Sequence, residues 1–221
     1  MAENAVRSDP SRKKPTGNYP GVELHHQSRE QNLETEAVVF GFWMFLMSDL
    51  ITFGLILATY ITSVTPMGVA GGPGPRQAFD MGSVFAQTVL LLLSSLLYGM
   101  STAALKYARH NGVAVAWMLA ATATGAAFLW LGVDDLMTLL DRGWGPSRSN
   151  FLSAYFLALG LHAMHIAATV VWTLLLIAQV LAFGFKPLVI RTRQLRLGLM
   201  WHLLNIVWIG IVSVVFLAGV A

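Results

Sequence analysis

The residues of this chain that could do acid–base or metal chemistry are one carboxylate and three histidines inside long apolar runs. Asp49 is the only charged residue between Ala37 and Ile61, a run long enough to cross a bilayer. An Asp at the centre of a membrane helix costs roughly 2.5 to 3.5 kcal/mol on insertion scales, so it normally faces a bundle interior and has a polar partner. Asp49 is therefore either one end of an interhelical hydrogen bond, with a histidine of the fourth span as its partner, or a proton-carrying carboxylate.

We favour the hydrogen bond, because no second carboxylate offers a relay inside the membrane. Three acidic residues, Asp134, Asp135 and Asp141, follow the third apolar run. We interpret them as solvated charges at the outer end of that span and in its loop.

His162 and His165 have a spacing at which one helix face can present two metal ligands. A zinc site needs further ligands, and a bis-histidine haem needs two imidazoles at the same depth. His202 lies near the inner start of the fifth span and is not level with His162. We therefore interpret these residues as hydrogen-bonded core histidines. The chain has no cysteine, which excludes disulfides, iron–sulfur clusters and thiolate metal sites.

The composition is that of a polytopic membrane protein, with 56% hydrophobic and only 11% charged residues. Five apolar runs are long enough to cross a hydrocarbon core of about 30 Å. They cover approximately residues 37–61, 84–107, 113–133, 151–183 and 197–218. The sequence therefore predicts an all-α bundle of five transmembrane helices within residues 37–221, preceded by a hydrophilic, partly disordered tail over residues 1–36.

Lysine and arginine are distributed unequally between the two sides of this predicted bundle. Of the 14 basic residues, eleven lie in the tail and in the second and fourth connections, and three lie in the first and third connections. By the positive-inside tendency, the N-terminus is cytoplasmic and the C-terminus periplasmic. The basic pI near 9.4 is thus an orientation signal and does not indicate nucleic-acid binding.

Polar residues recur at helical spacing in four of the five spans. These stripes include Asp49, Thr52, Gln87, Ser94, Tyr98, His162, His165, Trp201, Asn205 and Trp208, with His202 at the edge. Lipid cannot satisfy such groups, so the stripes must face one another or a partner protein. Trp201 and Trp208 are either interfacial anchors or packing residues. The depth of Trp201 favours an interfacial position, and Trp208, two turns deeper, is expected to be buried.

Four separated strings together resemble subunit III of the haem-copper oxidases, most closely that of cytochrome bo-type ubiquinol oxidases. They are Gly41-Phe-Trp-Met-Phe-Leu-Met-Ser-Asp49, Gly145-Pro-Ser-Arg-Ser-Asn-Phe-Leu-Ser-Ala-Tyr155, Gly160-Leu-His-Ala-Met-His165 and Trp201-His-Leu-Leu-Asn-Ile-Val-Trp208. The chain differs from the family pattern at Ala163, Leu203 and Asn205, where glycine, phenylalanine and aspartate are usual. Gly132 replaces an acid often found in the third span, which leaves Asp135 as the nearest match.

The resemblance implies a noncatalytic accessory subunit of a proton-pumping ubiquinol oxidase in the bacterial cytoplasmic (inner) membrane. Its partners would be the catalytic subunit I, subunit II, a small subunit IV and phospholipid. Haem b, a second haem (o or similar), copper and ubiquinol would be bound by other subunits, and this chain would support proton uptake. By the same resemblance, Asp49 and its histidine partner would shape a lipid-lined cleft near subunit I.

Three other functions remain open from the sequence. The chain could serve a cytochrome c oxidase or a nitric oxide reductase, which would leave the noncatalytic role unchanged. A proton-coupled transporter using Asp49 would need broken helix pairs or a second buried charge, which we do not find. A small haem-binding electron carrier would need a pair of level imidazoles.

Overall fold

A computed structural model describes residues 29–69, 73–74, 79–107, 111–184 and 188–217, and no strand occurs in these ranges. The helices are α1 (Arg29–Ser63), α2 (Pro66–Val69), α3 (Met81–Tyr107), α4 (Asn111–Asp141), α5 (Asn150–Phe183) and α6 (Leu188–Ile211). A π-helical segment, Val212–Leu217, continues α6 and is called π1. All helices except the single turn α2 are long and apolar enough to cross a membrane, so the predicted five-helix, all-α membrane protein is confirmed.

Three helix ends differ from the boundaries predicted from the sequence, and one of them is the start of α6, which lies at Leu188 and not near residue 197. Helix α1 begins at Arg29, inside the segment assigned to the hydrophilic tail, and residues 1–28 lie outside the described residues. Helix α4 continues to Asp141, beyond the predicted end near residue 133, and its last turns still bury Leu139. The division into tail and membrane domain remains a prediction.

Helix α6 lies at the centre of the bundle. It packs against α1, α3 and α5, while α4 packs between α3 and α5. Helix α6 together with π1 is the most buried membrane span, and α1 is the least buried. The main contacts of α1 are with α5, α6 and π1, so the first helix of the chain packs against the last ones.

Short, well-capped connections bring α4 and α5 together as antiparallel neighbours. Gly143 takes up a left-handed backbone conformation (φ +74°) in the turn that follows α4, which only glycine adopts without strain. Ser149 is the N-cap of α5, and its hydroxyl accepts a hydrogen bond from the Leu152 N–H. The N-cap therefore fixes the residue at which α5 begins, and with it the position of the polar stripe of the fourth span.

Five aromatic rings close the end of the bundle where α1 ends and α5 begins. The rings belong to Tyr60, Phe79, Phe151, Tyr155 and Phe216. The hydroxyl of Tyr60 donates to the backbone carbonyl of Val215 in π1, at 3.2 Å. This bond ties α1 to the irregular end of the last span.

Candidate functional site

The first pair of the candidate site joins α1 to α5. Asp49 Oδ1 lies 3.3 Å from His165 Nε2, and both side chains are largely buried, with 12% and 16% of their surface exposed. His165 Nδ1 lies 2.8 Å from the backbone carbonyl of Leu161, one turn earlier on the same helix. The expected contact between Asp49 and a histidine of the fourth span is therefore confirmed.

His162 lies beside this pair in a pocket of aromatic rings. Its imidazole stacks on Trp208 at 5.4 Å between ring centroids, and the rings of Phe53 and Phe128 approach it edge-on. Neither ring nitrogen has a hydrogen-bond partner among the described residues. The prediction of a hydrogen-bonded core histidine is right for His165 and wrong for His162, because rings from α1, α4 and α6 occupy the positions around it.

The two tryptophans of α6 are both core residues. Trp208 is buried as expected, and its indole Nε1 donates to Thr88 Oγ1 of α3 at 3.0 Å. Trp201 is also fully buried, so the interfacial position predicted for it is wrong. Its ring lies against Gly125 of α4, where an added Cβ would come within 2.5 Å of Trp201 Cη2. Asn205 is buried in the same stripe, and its Nδ2 donates to the Trp201 carbonyl.

Asp135 is a partly buried carboxylate on α4 that is hydrogen-bonded to α3, which corrects its interpretation as a solvated loop charge. Its Oδ2 accepts hydrogen bonds from Ser83 Oγ at 2.7 Å and from Gln87 Nε2 at 2.6 Å, both on α3. Helix α4 extends far enough to place Asp135 opposite these donors, whereas the neighbouring Asp134 is exposed. A Cβ added at Gly132 would also approach Gln87 Oε1, at 3.6 Å. Asp135 thus contacts the same glutamine that a side chain at position 132 would meet.

The remaining members of the α3 stripe are buried as predicted. Ser94 and Tyr98 are inaccessible, and the Tyr98 hydroxyl donates to the Gln194 carbonyl of α6 at 3.1 Å. Ser94 donates to the Leu91 carbonyl of its own helix. The tyrosine therefore links α3 to α6, whereas the serine hydroxyl bonds only within its own helix.

Two members of the predicted stripes lie outside the interior. Thr52 is exposed, and its hydroxyl donates to the Ser48 carbonyl one turn back. His202 is also exposed, and a hydrogen bond of 2.8 Å joins its Nδ1 to Ser95 Oγ. Both residues therefore face the surroundings of this chain and not the Asp49–His165 pair.

Sequence reasoning missed the apolar residues that shape the site. On α1 the buried face is formed by Leu46, Phe53 and Tyr60, spaced seven residues apart, and Phe53 contacts both histidines. This seven-residue spacing is visible in the sequence, but the three residues lie beside the polar stripe and not on it. The small residues of the third span predicted close packing, although nothing in that run singled out Gly125 as the seat of Trp201.

The arrangement can hold hydrogen bonds and a proton but offers little to a metal ion. Within the described residues, no group of three or more histidine, cysteine, aspartate or glutamate side chains is placed to hold a metal. The polar contacts instead run between helices, from Asp49 to His165, from Asp135 to Gln87 and from Trp208 to Thr88. Together these three contacts involve all five membrane helices.

The chain is similar in sequence to subunit 3 of bacterial quinol oxidases. It is 40% identical to the cytochrome bo(3) ubiquinol oxidase subunit 3 of Pseudomonas aeruginosa over 181 residues, covering 82% of this chain and 85% of the relative. It is 35% identical to the protein of the same name from Pseudomonas putida, with coverage of 84% and 87%. The quinol oxidase subunit 3 of Bacillus subtilis is 29% identical, with coverage of 82% and 87%. No family model matches the chain.

The chain belongs to the subunit 3 family of quinol oxidases. This membership confirms the resemblance read from the four sequence strings. Two of those strings carry Asp49, His162 and His165, and a third carries Trp201 and Trp208. In this member of the subunit 3 family, these strings therefore meet in one aromatic and polar core.

Proposed function

We propose that this chain is a noncatalytic accessory subunit of a bacterial ubiquinol oxidase, where it packs against subunit I and stabilises it. The proposal is carried by relatives named ubiquinol oxidase subunit 3 that align over most of both chains. In the assembled enzyme, ubiquinol would be oxidised and oxygen reduced to water while protons are pumped. Haem b, the second haem and copper would lie in other subunits, and subunits II and IV would complete the complex.

The side-chain chemistry of the core supports a structural role. Besides apolar packing, the interhelical contacts among the described residues include hydrogen bonds, one acid–imidazole pair and edge-on ring contacts, which fix helices relative to one another. In a membrane, such contacts supply association energy that the hydrophobic effect does not. A scaffold of this kind stabilises a larger partner without itself transferring electrons.

We also propose that the chain binds phospholipid. A shallow depression of about 470 Å³ lies on the surface of α3, and its walls include Leu92, Leu96 and Met100 of α3 and His202 of α6. An acyl chain fits such walls because they consist of methyl and methylene groups. The imidazole of His202 provides a polar group beside the chain.

For the orientation in the membrane, we propose a cytoplasmic N-terminus and a periplasmic C-terminus in the bacterial cytoplasmic membrane. The unequal distribution of lysine and arginine supports this orientation. The odd number of membrane-crossing helices among the described residues also supports termini on opposite sides.

Purification in mild detergent tests the proposed function. A tagged chain should co-purify with larger subunits whose spectrum shows haem, and the preparation should oxidise ubiquinol. Membranes that lack the chain should retain initial oxygen consumption but lose it faster during turnover, because the catalytic subunit has lost its scaffold. Reduced cytochrome c as the donor is the control, since its oxidation would favour the cytochrome c oxidase alternative.

Two results would contradict this function. One is a chain that purifies alone and shows its own haem absorption band. The other is substrate-dependent proton flux by the isolated chain in liposomes, which is the expectation for the transporter alternative.

A further inference from the structure

The contact between Asp49 and His165 restricts where hydrogen atoms can lie. His165 Nδ1 is 2.8 Å from the Leu161 carbonyl oxygen. A carbonyl oxygen only accepts hydrogen bonds, so Nδ1 must carry a hydrogen and donate it. The tautomer of His165 is therefore set by its own helix.

A neutral imidazole carries only one N–H, so with Nδ1 protonated its Nε2 presents a lone pair. Asp49 Oδ1 lies 3.3 Å from this Nε2. An ionised carboxylate also only accepts hydrogen bonds, and two acceptors facing each other in a low-dielectric interior repel. The contact is favourable only when a second proton is present.

We propose that the Asp49–His165 contact is a proton-binding site, with one proton held between Nε2 and Oδ1 in addition to the proton on Nδ1. An imidazolium beside a carboxylate and a neutral imidazole beside a carboxylic acid both satisfy this requirement. In both forms the pair as a whole carries no net charge, which suits its place at hydrocarbon depth. This inference goes beyond the accessory role and does not depend on it.

Asp135 provides an internal contrast. Its Oδ2 accepts from the hydroxyl of Ser83 and the amide N–H of Gln87, both of which bring their own hydrogens. Asp135 therefore needs no additional proton for its contacts. Asp49 Oδ2, in contrast, has no hydrogen-bond partner among the residues that the structure describes.

The surroundings of the pair favour retention of the proton over its relay. The titratable neighbour on α5 is His162, which makes no hydrogen bond to any described residue. The aromatic rings that contact the two histidines from α1, α4 and α6 are those of Phe53, Phe128 and Trp208, and none of these titrates. The proton consequently stabilises the contact between α1 and α5, and its loss breaks that contact.

Infrared and nitrogen NMR spectra of the purified complex test the proposal. The complex is labelled with ¹³C-aspartate and ¹⁵N-histidine, and wild type is compared with Asp49→Asn. The asparagine amide can donate its own N–H to Nε2, so this variant keeps the contact without a bound proton. The wild-type minus variant spectrum should show either a carboxylic-acid carbonyl band that shifts with the ¹³C label or a doubly protonated imidazole.

The control is Asp135→Asn, whose difference spectrum should lack both signals. The proposal is overturned if the Asp49→Asn difference contains only carboxylate bands with a singly protonated imidazole. It is equally overturned if both variants lose the same acid band, because the contacts would then not decide where the proton lies. If Asp49→Asn does not assemble, His165→Gln replaces it, with loss of the same signal expected.

Discussion

Replacing Gly125 by alanine should destabilise the bundle through a single added methyl group. A Cβ at this position would lie 2.5 Å from Cη2 of Trp201, closer than two carbon atoms can approach, and 3.2 Å from Cζ3, which is also tight. Trp201 is fully buried and contacts Tyr98 on its other side, with ring centroids 6.2 Å apart. The indole therefore has little room to move, and α4 and α6 must separate.

The expected cost follows from two opposing effects. Overpacking a well-packed core costs roughly 1 to 3 kcal/mol. Alanine in place of a mid-helix glycine returns up to about 1 kcal/mol through helix propensity. The matched control is Gly160→Ala in α5, where an added Cβ meets nothing within 4 Å and only the propensity effect remains. The two variants should therefore differ by roughly 1 to 3 kcal/mol, the overpacking cost alone.

The difference in stability is measured by heating the purified complex in mild detergent and recording the temperature at which this chain is lost from it. Gly125→Ala should lose the chain at a lower temperature than Gly160→Ala. Adding Trp201→Phe to Gly125→Ala should recover part of the loss, because phenylalanine lacks the outer ring atoms that clash. Equal stability of the two alanine variants, or no recovery in the double variant, would refute the packing argument.

Two further predictions concern the hydrogen bonds between helices. Asp135→Ala leaves two donors of α3 without their acceptor and should cost about 1 to 3 kcal/mol in the same denaturation assay, whereas Asp134→Ala at an exposed position should change little; equal effects would contradict the assignment. Thr88→Val removes the acceptor of the Trp208 indole while keeping the side-chain shape, and a loss of about 1 to 3 kcal/mol is expected. Thr52→Val, whose hydroxyl bonds only within its own helix, is the control, and a loss as large as that of Thr88→Val would count against the bond.

The five spans and most of the buried polar residues could be predicted from the sequence, because both depend on local properties. Hydropathy determines which segments can cross a membrane, and helical periodicity determines which residues share a face. Gln87, Ser94 and Tyr98 are buried together for this reason. The same reasoning gave Asp49 a histidine partner, since an acid at that depth requires one.

The errors arose where a tertiary contact decides the outcome. Trp201 was expected at the interface from its depth alone, but the space left by Gly125 on another helix allows it to be buried. Asp135 was expected in a loop because a charge normally ends an apolar run, yet donors on α3 make its position within α4 favourable. The residue pattern of one helix does not show how much space or which hydrogen-bond donors a neighbouring helix provides.

The packing of α1 against α5, α6 and π1 has a consequence for synthesis of the protein. Helix α1 leaves the ribosome first, but the segments that cover its acid and its aromatic face are translated last. Until then α1 must remain in the bilayer with Asp49 exposed to lipid or held by the insertion machinery. Ribosome stalling after α4 should therefore yield an intermediate in which α1 is still accessible to crosslinking by membrane insertion factors.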